Sequence, residues 1–444
     1  MTKTWSNWAG DQRCAPARIV RPTTEEELSQ IVHDAGRSGL NVRAIGSGHS
    51  FTDLVCTDGV LVDTSAMQRV LEVDAGSGRV TVQAGTKLHA LGEELAKHGL
   101  ALENQGDIDA QALAGALATG THGTGRRFGN LSSRVLGMRL VTGSGEVVDL
   151  AEDRDSEALR AARVSLGALG VATTVTLQTV PIYTLHRHDK PLPLDETLDR
   201  LDEHADGNDH FEFFLWPYTR VAACKFTRRS LEAPKPEASW KRRLLEDAVE
   251  NKLLDGISRI GRARNSAVPR LNRLFASTLT EGHLQDRGHR VYATKRSVRF
   301  NEMEYAIPRE HAREAIERTI ELVERRRLPI VFPFEIRFAA GDDAFLSTAY
   351  DRESCYIAVH QYIGMEFETF FRGVEAIMND YDGRPHWGKR HYQTAATLRG
   401  RYPEWDRFQD VRATLDPEGV FANDYTDRTL GPVSDHVKLT RSSR

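Results

Sequence analysis

The chain has 444 residues, 40% hydrophobic and 27% charged, and its 59 Lys+Arg against 63 Asp+Glu leave a net charge of −4. At roughly 150 residues per domain this predicts two or three domains with sizeable cores. The balanced charge excludes a mainly disordered chain and gives no pull toward nucleic acid or anionic lipid. Cys14, Cys56, Cys224 and Cys355 are scattered without a CxxC pair, so neither a zinc site nor a disulfide framework is suggested and a reducing, cytoplasmic setting is expected. The opening MTKTWSNWAGDQ holds no apolar stretch of the secretory kind, and no run approaches the roughly 18 apolar residues of a membrane span.

Ile19-Val20-Arg21-Pro22 reads as a short strand stopped by proline. Thr24 with Glu27 fits a capping box, and Leu28, Ile31, Val32 and Ala35 recur at helical spacing until Gly39. A strand from Leu40 to Ile45 then completes a β-α-β unit that delivers a glycine-rich loop. Val60–Asp63, a strand pair around the Gly-Ser-Gly turn at 76–78 and a helix from Leu88 to His98 follow. Small residues dominate Leu113 to Gly125. A hairpin joins Met138–Thr142 to Glu146–Leu150, and Ser156–Arg163 and Val171–Thr179 read as helix and strand, with a boundary at Pro181. Beyond it, strands at 211–216, 298–305, 330–338 and 356–362 alternate with helices at 310–325 and 366–381. That predicts an α+β domain of antiparallel strands with helices on one side. The basic stretch 235–275, with Lys241-Arg242-Arg243 and Arg262, Arg264, Arg270 and Arg273, reads as a solvated helical surface over a buried stripe of Leu244, Leu245, Val249, Leu253 and Leu254. Only the short tail 439–444 is of low complexity.

Two loops carry the first chemical signal. In Arg43-Ala44-Ile45-Gly46-Ser47-Gly48-His49-Ser50, two glycines after a strand form a turn whose backbone N–H groups can face a pyrophosphate. Phe51 stands where a dinucleotide fingerprint needs its third glycine, which disfavours an NAD enzyme. The second loop, Ala118-Thr119-Gly120-Thr121-His122-Gly123-Thr124-Gly125, is equally small and hydroxylated, and the two together can hold a long dinucleotide.

These loops, with Gln105-Gly106-Asp107-Ile108, resemble the FAD domain of the vanillyl-alcohol oxidase (PCMH-type) flavoenzymes. Trp5-Ser6-Asn7-Trp8, Glu302-Met303-Glu304-Tyr305, Glu335-Ile336-Arg337, His386-Trp387-Gly388-Lys389 and Asp416-Pro417-Glu418-Gly419-Val420-Phe421 resemble its sugar-lactone and alditol oxidoreductase branch, over nearly the whole chain and in order. The resemblance implies a two-subdomain FAD domain over 10–180 and a substrate domain over 181–444 whose C-terminal part returns to the flavin. It implies FAD held by Arg43, Ala44, Ile45, Gly46, Ser47, Gly48, Ser50, Gly106, Asp107, Ala114, Thr119, Gly120, Thr121, Thr124, Val171 and Lys389, with His49 as covalent anchor to the flavin 8α-methyl. His122 is expected to order its loop.

Glu335 and Arg337 lie two apart on a strand and project from one face, where a carboxylate and a guanidinium suit a polyol or form an intrasheet ion pair. Lys389 is expected near flavin N1, balancing charge on reduction. His360, aided by Lys389, is expected to take the substrate hydroxyl proton, since imidazole titrates near neutrality. Tyr305 and Tyr362 are pocket or core aromatics. The reaction implied is oxidation of the C2 hydroxyl of an aldono-1,4-lactone to an ascorbate-like product, with O₂ or another electron acceptor closing the cycle and Ala118–Thr121 as the gate to O₂. An alditol oxidase acting on the terminal hydroxyl of xylitol or sorbitol is the alternative, and a non-catalytic protein binding an anion on the 241–273 face a second. Peripheral membrane association is left open; no nucleic-acid partner, transmembrane segment or metal is expected.

Overall fold

In the computed structural model, which describes residues 4–235, 240, 241, 244, 247–294 and 296–436, the first helix, Glu25–Arg37, starts where the capping pattern places it. The Thr24 hydroxyl accepts from the Glu27 amide at 3.2 Å, and the Glu27 carboxylate reaches back one residue further, to the Thr23 amide at 2.8 Å. At the other end Gly39 takes φ +65°; its amide bonds the Gly36 carbonyl and the Leu40 amide bonds that of Ala35. Closing the helix engages Leu40, so the next strand begins at Val42 instead. Val42–Ile45 and Arg18–Val20 pair in parallel with Val60–Asp63 between them.

A five-stranded antiparallel sheet forms the second unit, in the order Val147–Ala151, Val135–Val141, Val171–Gln178, Arg79–Gln83, Val70–Asp74. Val175, Val82 and Met138 pack there against Leu88, Leu91 and Leu95 of helix Leu88–Lys97 and Leu159 of helix Ser156–Arg163. Val180–Pro181 still pairs with Leu100–Ala101, and the larger sheet starts at Thr184. The far end of the chain comes back: the Val42 backbone amide bonds the Val420 carbonyl, and the Asn423 side-chain Nδ2 donates to the carbonyls of Asp53, Leu54 and Cys56 at 2.9–3.2 Å.

The third unit is an eight-stranded antiparallel sheet, ordered Gly282–Arg287, Thr184–Pro193, Val221–Ser230, His210–Leu215, Phe334–Ala339, Ser354–Tyr362, Phe300–Pro308, Arg384–Pro385. Strand alternation sorts its residues. Phe213, Phe334, Ile336, Met303, Tyr305, Ile357 and Val359 face helices Ala312–Arg326 and Glu368–Asn379 in one core, each such side chain contributing about 1.5–3 kcal/mol on burial. The intervening residues point the other way, toward the loops of the first two units.

The basic stretch folds as helices Leu254–Ala263 and Val268–Ala276, which bury Leu254, Ile257, Val268 and Phe275 against Trp216 and Phe332. Leu244 is exposed, not part of that stripe; Leu245, Arg242, Arg243 and the tail 439–444 lie outside the described residues. All four cysteines are free thiols. Among the described residues no helix is long and apolar enough to cross a membrane.

Candidate active site

A cleft of about 1080 Å³ runs between the parallel and five-stranded units. Its lining includes Arg43 to Ser50, Ala114, Thr119 and Val171. Backbone builds it. Gly48 sits at φ +65° with the Trp5 ring 3.0 Å from where a Cβ would be, and a Cβ on Gly46 would lie 2.5 Å from that of Ala112, where the two loops meet. The N-terminal Trp-Ser-Asn-Trp segment clamps the first loop: the Trp8 backbone amide bonds the Gly48 carbonyl at 2.8 Å and the Asn7 side-chain Nδ2 donates to the Ser50 carbonyl at 2.9 Å. Ser47 hydrogen-bonds the Ala110 carbonyl and accepts from Lys87 at 2.8 Å. Narrow, small-residue walls, exposed loop amides and a lysine at its side fit an elongated dinucleotide. The Arg43 guanidinium does not reach in. It is fully buried, donating to the carbonyls of Leu54, Leu166, Gly167 and Phe421, so only its backbone faces the cleft.

His49, half-buried in this lining, stacks on Trp8 with ring centroids 5.5 Å apart. Burial, then the charges of Lys389 and Lys87, lower its pKa to about 4. The ring is therefore neutral near pH 7, with a lone pair available.

The polar face of the eight-stranded sheet carries a buried row of ions. Glu302 lies opposite His360, Arg337 opposite Glu212, and Glu212 opposite Lys225. Lys389, delivered by a turn whose Gly388 carbonyl accepts from the Phe51 amide, pairs closely with Glu302. Glu335 pairs closely with Arg337, whose guanidinium also reaches Glu212 at 3.0 Å and Asp107 at 3.2 Å. Arg296 holds the other Asp107 oxygen at 3.2 Å. Glu304, on the same face as Glu302, meets His122 at 3.2 Å, and His122 stacks on Tyr356. Although His122, Glu304 and His386 cluster, the His386 Nδ1 accepts from the Gly388 amide at 3.0 Å, so in the neutral ring its other nitrogen carries the proton and offers no lone pair to a cation.

The row splits its members by charge. Burial opposes ionisation of Glu302, but Lys389 and His360 hold it below the usual carboxylate range. Burial likewise opposes the charge on Lys389, and Glu302 and Glu304 raise its pKa regardless. Glu335 goes the other way. Burial raises it to about 7 against the pull of Arg337, with Asp107 and Glu212 adding to the rise.

His360 and Lys389 flank Glu302 in this row. The two nitrogens of His360 face two acceptors, Glu302 at 3.4 Å and the Pro333 carbonyl at 2.9 Å, which favours the doubly protonated ring. Its pKa is raised although burial alone would lower it. For both residues the neighbouring carboxylates favour the charged form.

Two regions of the chain match family descriptions: residues 16–151 match the FAD binding domain, and residues 175–429 match D-arabinono-1,4-lactone oxidase. The chain belongs to the D-arabinono-1,4-lactone oxidase family. Among its relatives, the L-gulono-1,4-lactone dehydrogenase of Mycobacterium tuberculosis H37Rv is 60% identical over 97% of this chain and 100% of its own. The L-gulonolactone oxidase of Bos taurus is 33% identical over 96% and 98%, and the alditol oxidase of a Streptomyces species 30% over 96% and 98%. A solvent-stable cholesterol oxidase shares the fold, with a TM-score of 0.81 at 20% identity over 97% of this chain and 98% of that one.

Not every residue expected at the cofactor lines the cleft in this lactone oxidase family member. Gly106 packs on the His122 carbonyl, and Asp107 turns to Arg337 and Arg296. Gly120 sits beside Asn130 and Val164, Thr121 meets Gln111, and the Thr124 hydroxyl donates to the Phe211 carbonyl and accepts from the Phe338 amide. The second loop leaves the cleft after Thr119 and fastens to the large sheet. Tyr305 faces the helical core, bonded to Glu375, and the Tyr362 hydroxyl meets Asp255, so both are core rather than pocket residues. Sequence reasoning assigned no role to Glu302, Glu304, Glu212 or Lys225. The i, i+2 pair in Glu302-Met303-Glu304 was the available signal, the same one that exposed Glu335 and Arg337.

Proposed function

We propose that this protein oxidises the C2 hydroxyl of an aldono-1,4-lactone, the observation carrying the mechanism being the buried Glu335 carboxyl, paired with Arg337 in a row of ions and pushed up to about 7 by burial. Bound FAD, in the cleft lined by the Gly46–Ser50 turn, supplies the hydride acceptor. Glu335, ionised, takes the hydroxyl proton as the C2–H bond breaks. Arg337 orients the sugar oxygens through its planar donors, and Lys389, fixed by Glu302, places positive charge where negative charge develops. His360 braces Glu302 from the other side. The 2-keto lactone released tautomerises toward an enediol.

His49 is the proposed covalent attachment point. Its neutral ring, clamped against Trp8, supports that role. Four free thiols support a reducing, cytoplasmic setting.

The test is anaerobic. The purified yellow protein should be bleached by L-gulono-1,4-lactone faster than by xylitol; the reverse order would establish the alditol reading. Assays with O₂ and with a dye identify the acceptor. Acid precipitation should leave flavin in the wild-type pellet and none in that of His49→Ala, and flavin released from the wild type would refute the covalent bond.

A further inference from the structure

Beyond Arg337, away from Lys389, the ion row borders a small chamber. Arg337, Asp107, Glu212 and Lys225 wall it on one side, and Gln105 contributes from the loop between the second and third units. Gln105 is 3% exposed, and among the described residues neither oxygen nor nitrogen of its side-chain amide has a hydrogen-bond partner. A buried amide left so is costly, and this group is suited to a ligand that both accepts and donates. The loop is held there by the Asn104 side chain, which donates to the Thr124 carbonyl at 3.3 Å.

The charges of the chamber are already matched within its wall. Lys225 reaches Glu212 at 3.3 Å, Arg337 reaches Glu212 and Asp107, and Arg296 reaches Asp107. A carboxylate or phosphate would find no uncompensated cation, whereas hydroxyls find donors and acceptors side by side. Glu335 and Arg337 hold the reacting end of the sugar, and this chamber starts on the far side of Arg337.

We infer that the chamber is the subsite for the hydroxylated side chain carried on C4 of the lactone ring, with Gln105 as the residue that reads its hydroxyls. The inference rests on the lactone reading above. A 1,4-lactone ring ends at C4, so threono-1,4-lactone has no side chain, arabinono-1,4-lactone a hydroxymethyl and gulono-1,4-lactone a dihydroxyethyl group. The chamber therefore sets carbon-chain preference.

The experiment is kcat/KM of the holoprotein for the three lactones, in the wild type and in Gln105→Leu. In the wild type it should rise about five- to tenfold per side-chain hydroxyl, chiefly through KM. The ratio of gulono- to threono-lactone should contract about tenfold in Gln105→Leu. A wild type indifferent to side-chain length overturns the proposal, and so do equal losses on all three substrates, which a merely structural Gln105 would give. Should the variant not fold, the wild-type series alone decides. If none of the three lactones bleaches the holoprotein, the lactone reading itself fails, an outcome distinct from bleaching without discrimination.

Discussion

The cofactor cleft and the charged sheet face meet at Lys389 and Phe51, yet they are made of different material. The cleft is backbone, glycine and small side chains, shaped by what is absent: no Cβ fits at Gly46, and the one large cation, Arg43, is spent on four carbonyls. The sheet face is the opposite, with three buried carboxylates, Glu302, Glu304 and Glu335, and two half-buried ones, Glu212 and Asp107, against Lys389, Arg337, Lys225 and Arg296. A loop that must approach a long ligand closely works by exclusion. A surface that moves a proton needs ionisable groups whose pKa values are driven apart. Changes on one side should therefore alter cofactor retention and on the other chemistry, with little crossing over.

Glu335→Gln tests this hardest. Flavin content should be unchanged while kcat for lactone falls by roughly 10²–10⁴, the range of a lost general base; lost flavin would show that the two sides are not separable. Lys389→Met should slow anaerobic flavin reduction by roughly 10²-fold, as loss of a charge-stabilising group does. It also leaves Glu302 with His360 as its remaining partner, so thermal stability should fall too, and a variant as fast and as stable as wild type would remove the role assigned to Lys389. Gly46→Ala drives a methyl into Ala112, and overpacking of about 1–3 kcal/mol should lower the flavin loaded per chain while turnover per bound flavin stays near wild type. The smallest effect is on pH. Because Glu335 must be ionised and titrates at about 7, kcat/KM should drop about tenfold per unit below that pH and level off above it, and the limb should vanish in Glu335→Gln. A wild-type profile flat from pH 5 to 8 would place the proton elsewhere.

Much of the fold was legible because it rests on local rules. Thr24 and Gly39 mark the ends of one helix, and Ser156–Arg163 was read to the residue. The alternation that put Glu335 and Arg337 on one face follows from the period of a strand. What could not be read is register across strands and between units. Nothing in the local sequence places Glu212 opposite Arg337, or brings Asp107, more than two hundred residues earlier, to the same guanidinium. The upward pKa shift of His360 could not be read for the same reason. It depends on Glu302 across the ladder and on the Pro333 carbonyl, neither visible in the histidine's own surroundings. The Thr121 and Thr124 positions looked like cofactor contacts because the loop is uniformly small, while its exit from the cleft is set by bonds to Phe211 and Phe338.

The return of the C-terminal segment bears on how the enzyme is made. The loop from Arg43 to Ser50 takes its final form against Val420, Phe421 and Asn423, which bond Val42, Arg43 and the carbonyls at Asp53–Cys56. Those partners follow the loop by 378 residues in the chain. The cradle cannot close before that segment has been made.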